Sequence, residues 1–209
     1  MADALRHAVI FAHPREKSFT GAAADTYARA VEEKGHATIK RDLYRMGFDP
    51  RLQASELPFA PDFQPGPDVA AERALLDQCQ VFAFFYPLWL DAPPAILKGY
   101  LERVFGFGFA YGDGRHSWVP RLKGRSMISF SFSGAPEAWL QKTGDLAAVQ
   151  ALFDTYFANL CGLTSLGHFH FGSITPGASE AFIAARLRDV AQTVNTIMGG
   201  KHDLDEHPA

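Results

Sequence analysis

Hydrophobic and polar positions along this chain switch between two periods. Short apolar runs of strand length are separated by longer stretches in which apolar residues recur every three or four positions. Arg6-His7-Ala8-Val9-Ile10-Phe11-Ala12 is the first run; it ends at His13-Pro14 and predicts a buried strand. A helix capped by Thr20 follows, running through Lys34 to a stop at Gly35. Residues 36–42 alternate polar and apolar, as a more exposed second strand would. Asp68 caps a second helix reaching Gln78, and the almost wholly apolar 81–86 predicts a central parallel strand buried on both faces. Pro93-Pro94 opens a helix through Phe105, since proline is allowed in a first turn. A fourth strand over 125–132, a helix over 146–160, a fifth strand over 163–171 and a last helix over 179–198 complete the pattern.

Five strands alternating with helices imply an α/β domain, an open parallel sheet with helices on both faces. The expected organisation is one domain over 1–198 and a polar, disordered tail over 199–209. Two long segments interrupt the alternation. Residues 47–67 are rich in proline, aspartate and phenylalanine, which forbids long regular structure; 107–123 hold many glycines and aromatics and predict a shaped loop. Ligands of such sheets sit beyond the carboxyl ends of the strands. Here those ends are 13–20, 87–91 and 131–134, where the unusual residues concentrate.

Composition narrows the field. The net charge of −3 over 209 residues argues against nucleic acid as the main partner, because phosphate-backbone binding needs a concentrated basic surface. The two cysteines, Cys79 and Cys161, sit in apolar settings and read as core residues of a reducing compartment. No basic-then-apolar leader is visible, and the longest apolar run, around 81–90, is too short to insert in a membrane, so the expected location is cytoplasmic. No Cys/His spacing suggests a metal. His168 and His170 share one face of the fifth strand without an apparent third ligand, and His36 and His116 read as surface or loop residues. The absence of a GxSxG elbow weakens a hydrolase reading.

Each of the three loops admits a chemical and a plain reading. At the first, backbone N–H groups and the helix dipole could meet a phosphate, helped by the Ser18 and Thr20 hydroxyls and by His13 and Lys17. An ordinary cap with solvated charges explains it equally well. The second loop offers Pro87, Leu88 and Trp89 as an apolar wall for a planar ligand, with main-chain amides nearby, or Trp89 and Leu90 as simple core packing. In the third, the small residues Ser131, Ser133 and Gly134 around Phe132 would let a ring approach the backbone, or mark a routine strand exit.

Longer blocks carry a resemblance. Asp42-Leu43-Tyr44-Arg45-Met46 with Phe48-Asp49-Pro50, the stretch from Pro94-Ala95-Ile96-Leu97-Lys98-Gly99 to Tyr100-Leu101-Glu102-Arg103-Val104-Phe105, and Phe109-Ala110-Tyr111 resemble the NAD(P)H:quinone oxidoreductases of the flavodoxin-like superfamily. So do the first strand with Ser18-Phe19 and the helix at Asp68-Val69-Ala70-Ala71-Glu72; the match runs in order through most of residues 6–176. It implies a sheet in the order 2-1-3-4-5 and a homodimer with a flavin at each subunit interface, FAD in preference to FMN. His13, Lys17, Ser18, Phe19 and Thr20 would hold the phosphate and ribityl part; Pro87, Leu88, Trp89 and Leu90 would line the ring; Ser131, Phe132, Ser133 and Gly134 would meet its pyrimidine edge. Gln64 matches a glutamine that helps hold FAD, and Phe109, Ala110 and Tyr111 match the loop covering the substrate from the neighbouring subunit.

The implied reaction is ping-pong: NAD(P)H gives a hydride to the flavin and leaves, and a quinone or other small aromatic acceptor, oriented by Tyr111, takes both electrons. The chain departs from the pattern where mammalian members place a tyrosine and a histidine near the flavin. Trp139 holds the tyrosine position, and no histidine follows between Leu140 and Ala158. Tryptophan packs and donates but does not exchange protons, so backbone dipoles near 131–134 would have to stabilise charge on the ring. The chain ends sooner than those relatives, which groups it with smaller bacterial members, some of them resembling modulators of drug or potassium efflux. A flavoprotein subunit regulating a membrane efflux system and an electron-transfer flavodoxin are therefore the rival readings. The aromatic cover at 107–111 and the mild charge oppose the second.

Overall fold

Five parallel strands form the sheet in the computed structural model, which describes residues 4–58, 60–112 and 118–199. The strands are β1 (Arg6–Phe11), β2 (Ala37–Asp42), β3 (Val81–Pro87), β4 (Ser126–Phe132) and β5 (Thr164–Phe171), in the order β2-β1-β3-β4-β5. The expected order and strand positions are therefore observed, within a residue or two at each end. Strand β3 is buried at every position, and its alternation divides the core. Val81, Ala83 and Phe85 face one helical layer, with Tyr27, Phe130, Val190 and Val194; Phe82, Phe84 and Tyr86 face the other, with Leu76, Tyr100, Phe105 and Phe157.

Helices α1 (Phe19–Glu32) and α7 (Glu180–Gly199) cover the first face. On the second lie α2 (Pro67–Leu76), α3 (Ala95–Val104) and a broken run made of α5 (Asp145–Val149), a π-helical stretch Gln150–Thr155 and α6 (Tyr156–Cys161). The single helix expected over 146–160 is thus interrupted, and a short helix α4 (Glu137–Thr143) precedes it. Pro136 caps α4 and Gly144, at φ +86°, ends it; so short a helix leaves little periodicity to read.

Two caps differ from expectation. Ser18, not Thr20, caps α1: its hydroxyl accepts the Gly21 N–H at 3.1 Å, while Thr20 lies buried inside the first turn. Helix α2 starts at Pro67 after Gly66, and Asp68 instead pairs with Arg103. His36 is half-buried rather than a free surface residue, its Nδ1 accepting the Leu5 N–H at 3.0 Å. His116 and the expected disordered tail over 199–209 fall on or run into residues outside those described. The described part of 47–67 contains only the 3₁₀ turn Ala54–Glu56.

Cys79 and Cys161 are free and buried, burial pushing their thiols up to about 11 and about 12. Among the described residues no helix is long and apolar enough to cross a membrane.

Candidate flavin cleft

The carboxyl ends of β1, β3 and β4 meet, together with the end of β5, around a cleft of about 580 Å³. That is the size range of small-molecule and cofactor sites. His13, Lys17, Ser18, Phe19 and Thr20 line it from the first loop, Pro87, Leu88 and Trp89 from the second, and Phe132, Ser133 and Gly134 from the third. The loops are bound to one another: Leu88 donates its N–H to the Phe132 carbonyl at 2.7 Å, and the rings of Phe19 and Phe132 meet edge-on at 5.0 Å.

At one end stands the start of α1. The Ser18 hydroxyl takes the Gly21 N–H, but the N–H groups of Phe19 and Thr20 have no partner among the described residues. Free N–H groups at the positive end of a helix, beside the Lys17 ammonium, suit a phosphate. His13 adds a directed donor. Its Nδ1 accepts the Arg15 N–H at 3.1 Å, so a neutral ring carries its proton on Nε2. Burial, with the Arg15 charge adding to it, holds this imidazole below its ordinary value.

Beside these donors is an apolar wall. Trp89 packs against His13 at 5.8 Å and is fixed by a tight turn in which Trp89 and Ala92 exchange N–H···O bonds at 3.0 and 3.2 Å. Leu90 and Asp91 form the tip of that turn at φ +53° and +54°, a left-handed conformation that disfavours branched side chains. Leu90 consequently projects fully into solvent and does not line the cleft. Gly134 leaves the third side open: a Cβ there would meet nothing nearer than Thr175 Cγ2 at 3.7 Å, and its N–H has no partner among the described residues. Anion donors, an apolar wall beside them and an open backbone edge fit the phosphate and ring of a flavin.

Several expected residues lie elsewhere. Ser131 is fully buried beneath the cleft, hydrogen-bonded to two histidines, and the Ser133 N–H is already given to the Phe171 carbonyl at 3.1 Å. That leaves Gly134 as the backbone donor of this loop. Trp139 stands half exposed on α4, outside the cleft lining. Gln64 is exposed on the 47–67 segment, with its N–H on the Ser55 carbonyl. Ala110 is fully buried. Phe109 is half-buried against Phe105, and Tyr111 stacks on Trp118 at 5.3 Å and faces a groove between α3 and α6. Phe107 is buried, and Phe109 and Tyr111 are half-buried.

The residues that went unrecognised are Pro14 and Arg15, and Ile174, Thr175, Pro176 and Ile183 behind β5. The rule that ligands gather at strand carboxyl ends applies to β5 as well and could have found the latter group. A neighbouring cleft of about 670 Å³ shares Lys17, Ser18 and Phe19 and adds the acids Glu16, Asp25 and Asp42 with the bases Lys40 and Arg45, which already pair with Asp25 and Asp42.

The flavodoxin-like fold family matches residues 6–194. An uncharacterized NAD(P)H oxidoreductase of Haemophilus influenzae is 35% identical over 172 residues, covering 81% of this chain and 85% of that protein. The NAD(P)H dehydrogenase [quinone] 1 of Cavia porcellus is 33% identical over 186 residues, covering 79% of this chain and 68% of its own. Other curated relatives are matched over only about half of their length. In three dimensions the chain superposes on the NAD(P)H:quinone oxidoreductase from Methanothermobacter marburgensis with a TM-score of 0.82 and 24% identity, covering 96% of this chain and all of that one. The chain belongs to the flavodoxin-like fold family, and its relatives are NAD(P)H oxidoreductases by name.

Proposed function

We propose that this protein is a cytoplasmic NAD(P)H:quinone oxidoreductase that works as a homodimer with a flavin in the cleft. One observation carries the reading. Phe19 and Thr20, with unpartnered N–H groups at the start of α1, and Lys17 share a single cleft with the apolar residues Pro87, Leu88, Trp89 and Phe132. The quinone reductase named among its relatives supports the choice of substrate.

A bound flavin would supply the redox chemistry, taking a hydride from NAD(P)H and passing both electrons to a quinone. The chain's own residues bind and orient. Phe19 and Thr20 N–H groups, Lys17 and the His13 Nε2–H would hold the phosphate and ribityl end. Pro87, Leu88 and Trp89 would exclude water from the ring. The Gly134 N–H would supply a dipole to stabilise negative charge on it. Tyr111 and Phe109 would cover the substrate of a second copy, and Gln64 would reach that copy's cofactor. The Gln64 contact favours FAD over FMN. The α3–α6 groove, flanked by exposed Leu152 and Tyr156, is the apolar surface on which the second copy would sit.

The test is the absorption spectrum of purified protein, mass analysis of the released cofactor, and NAD(P)H oxidation with and without a quinone. A flavin spectrum and parallel-line kinetics are expected. Protein that takes up neither FAD nor FMN overturns the reading.

A further inference from the structure

Beneath the cleft, β4, β5 and the π-helical stretch hold an unbroken chain of polar side chains in an otherwise apolar layer. The Asp154 carboxylate accepts the Ser129 hydroxyl at 2.5 Å through one oxygen and meets His168 Nδ1 at 2.5 Å through the other. His168 Nε2 lies 2.6 Å from the Ser131 hydroxyl, which lies 2.8 Å from His170 Nδ1. His170 Nε2 is 2.9 Å from the Ser133 hydroxyl. Every side chain of the run is buried, Ser133 and His170 alike at 8% exposure, and Ser133 is the member that lines the cleft. A bulge creates the arrangement. The β4–β5 register slips between Met127 and Ser129, with Gly167 at φ +125°, so that His168 and His170 pair with Ser129 and Ser131 and share their face. Without the extra residue, Phe169 and Phe171 would take that face.

We propose that Ser133, His170, Ser131, His168 and Asp154 form a relay that carries one proton between the cleft and a buried imidazole–carboxylate pair. Its purpose rests on the function proposed above. NAD(P)H, one proton and a quinone give NAD(P)⁺ and a hydroquinone, so each turnover needs a proton, and Trp139 cannot exchange one.

The chain has two fully bonded states that differ by that proton. In the first, every donor points inward: Ser133 O–H to His170 Nε2, His170 Nδ1–H to Ser131, Ser131 O–H to His168 Nε2, and His168 Nδ1–H to Asp154. In the second, every donor above Asp154 is reversed. His168 is protonated on both nitrogens and donates to Asp154 and Ser131, Ser131 donates to His170 Nδ1, and His170 Nε2–H donates to Ser133. The Ser133 hydroxyl then takes its other acceptor, the Ala135 carbonyl at 2.8 Å. Passing from the second state to the first releases one proton at Ser133 and leaves no buried polar atom of the chain unpaired. His170 stays neutral in both, in keeping with burial, which with His168 lowers its pKa to about 4. Tyr86 of β3, edge-on to His168 at 6.3 Å, faces the same site, and burial together with Asp154 holds its phenol neutral.

Nitrogen-15 imidazole spectra of the flavin-free protein test the relay independently of the cofactor. Near neutrality both rings should carry their proton on Nδ1. On acidification His168 should take up a proton, and the His170 proton should move to Nε2 in the same transition. A His170 tautomer that stays unchanged through that transition, or no uptake at His168 before the protein unfolds, overturns the relay. In the flavin-loaded enzyme, proton uptake per hydride, followed with an indicator dye in stopped flow, should slow about tenfold in Ser133→Ala and in Asp154→Asn. Ser133→Thr, which keeps the hydroxyl, should restore it to within about twofold. Wild-type uptake in Ser133→Ala removes Ser133 as the opening and overturns the proposal.

Discussion

The Ser18 side chain serves the fold and the cleft together. By taking the Gly21 N–H it fixes the first turn of α1, which in turn aims the Phe19 and Thr20 N–H groups into the cleft. Ser18→Ala should cost about 1 kcal/mol in urea unfolding, the usual worth of an N-cap, and weaken flavin binding measured by fluorescence titration. In the proposed reaction Tyr111 would act through one hydroxyl: Tyr111→Phe should slow the quinone half-reaction about two- to tenfold, the worth of one neutral hydrogen bond, while reduction by NAD(P)H stays near normal in stopped flow. The buried imidazoles govern acid stability. Burial lowers His7 and His170 from 6.5 to about 4, with His36 and His168 adding to the effect respectively. Between those values the unfolded chain binds protons that the folded chain refuses. Their stabilisation is complete above about pH 6.5 and is lost as the pH falls toward 4, by on the order of 2–3 kcal/mol for each ring. Urea midpoints measured between pH 7.5 and 4.5 should show this decline. A flat profile would mean that the rings are charged or exposed.

Helix α3 is anchored by the charge it carries. Arg103, on its inner face, donates to both oxygens of Glu56 at 2.8 Å, to Asp68 at 2.7 and 3.0 Å and to the Asp49 carbonyl at 2.6 Å. It thereby ties α3 to the start of α2 and to the 47–67 segment. Burial would raise the Glu56 carboxyl, but the Arg103 guanidinium and the Gln53 and Gly66 N–H groups pull it down to about 2. Glu56 therefore keeps its charge, and the stabilisation that goes with it, well below the pH at which the contribution of the neutral histidines is lost. Arg103→Ala leaves a buried carboxylate unpaired and should cost about 3–5 kcal/mol in urea unfolding; adding Glu56→Gln should recover a good part of that loss. Additive losses would show that the pair is not coupled. The same helix passes so close to the 47–67 segment that a Cβ on Gly99 would lie 2.1 Å from the Pro50 carbonyl oxygen. The proline-rich segment that reads as a structureless loop is in this way packed onto the domain by one glycine and one buried arginine.

At the scale of the whole molecule, the proposed dimer would assemble on the α3–α6 groove with exposed Leu152 and Tyr156. Leu152→Glu should shift the protein from dimer to monomer in light scattering at micromolar concentration and lower its flavin content. Wild-type protein that is monomeric with flavin bound would separate the cofactor from assembly. The sheet and its order were open to a reading of the sequence, because a strand buried on both faces, such as β3, must be apolar at every position, and strand–helix alternation admits few topologies. The first, second and third cleft loops were legible for a related reason: strand carboxyl ends are places of known function. The pattern of apolar and polar residues says nothing, however, about which polar side chains meet across strands. The bulge at Gly167 decides that His168 and His170 face Ser131 and Asp154, and a one-residue slip would hide both. Only the tertiary structure buries Ser131, turns Leu90 outward and leaves Trp139 beyond the cleft, because a loop side chain takes its direction from the backbone conformation that its neighbours impose, which no periodicity records.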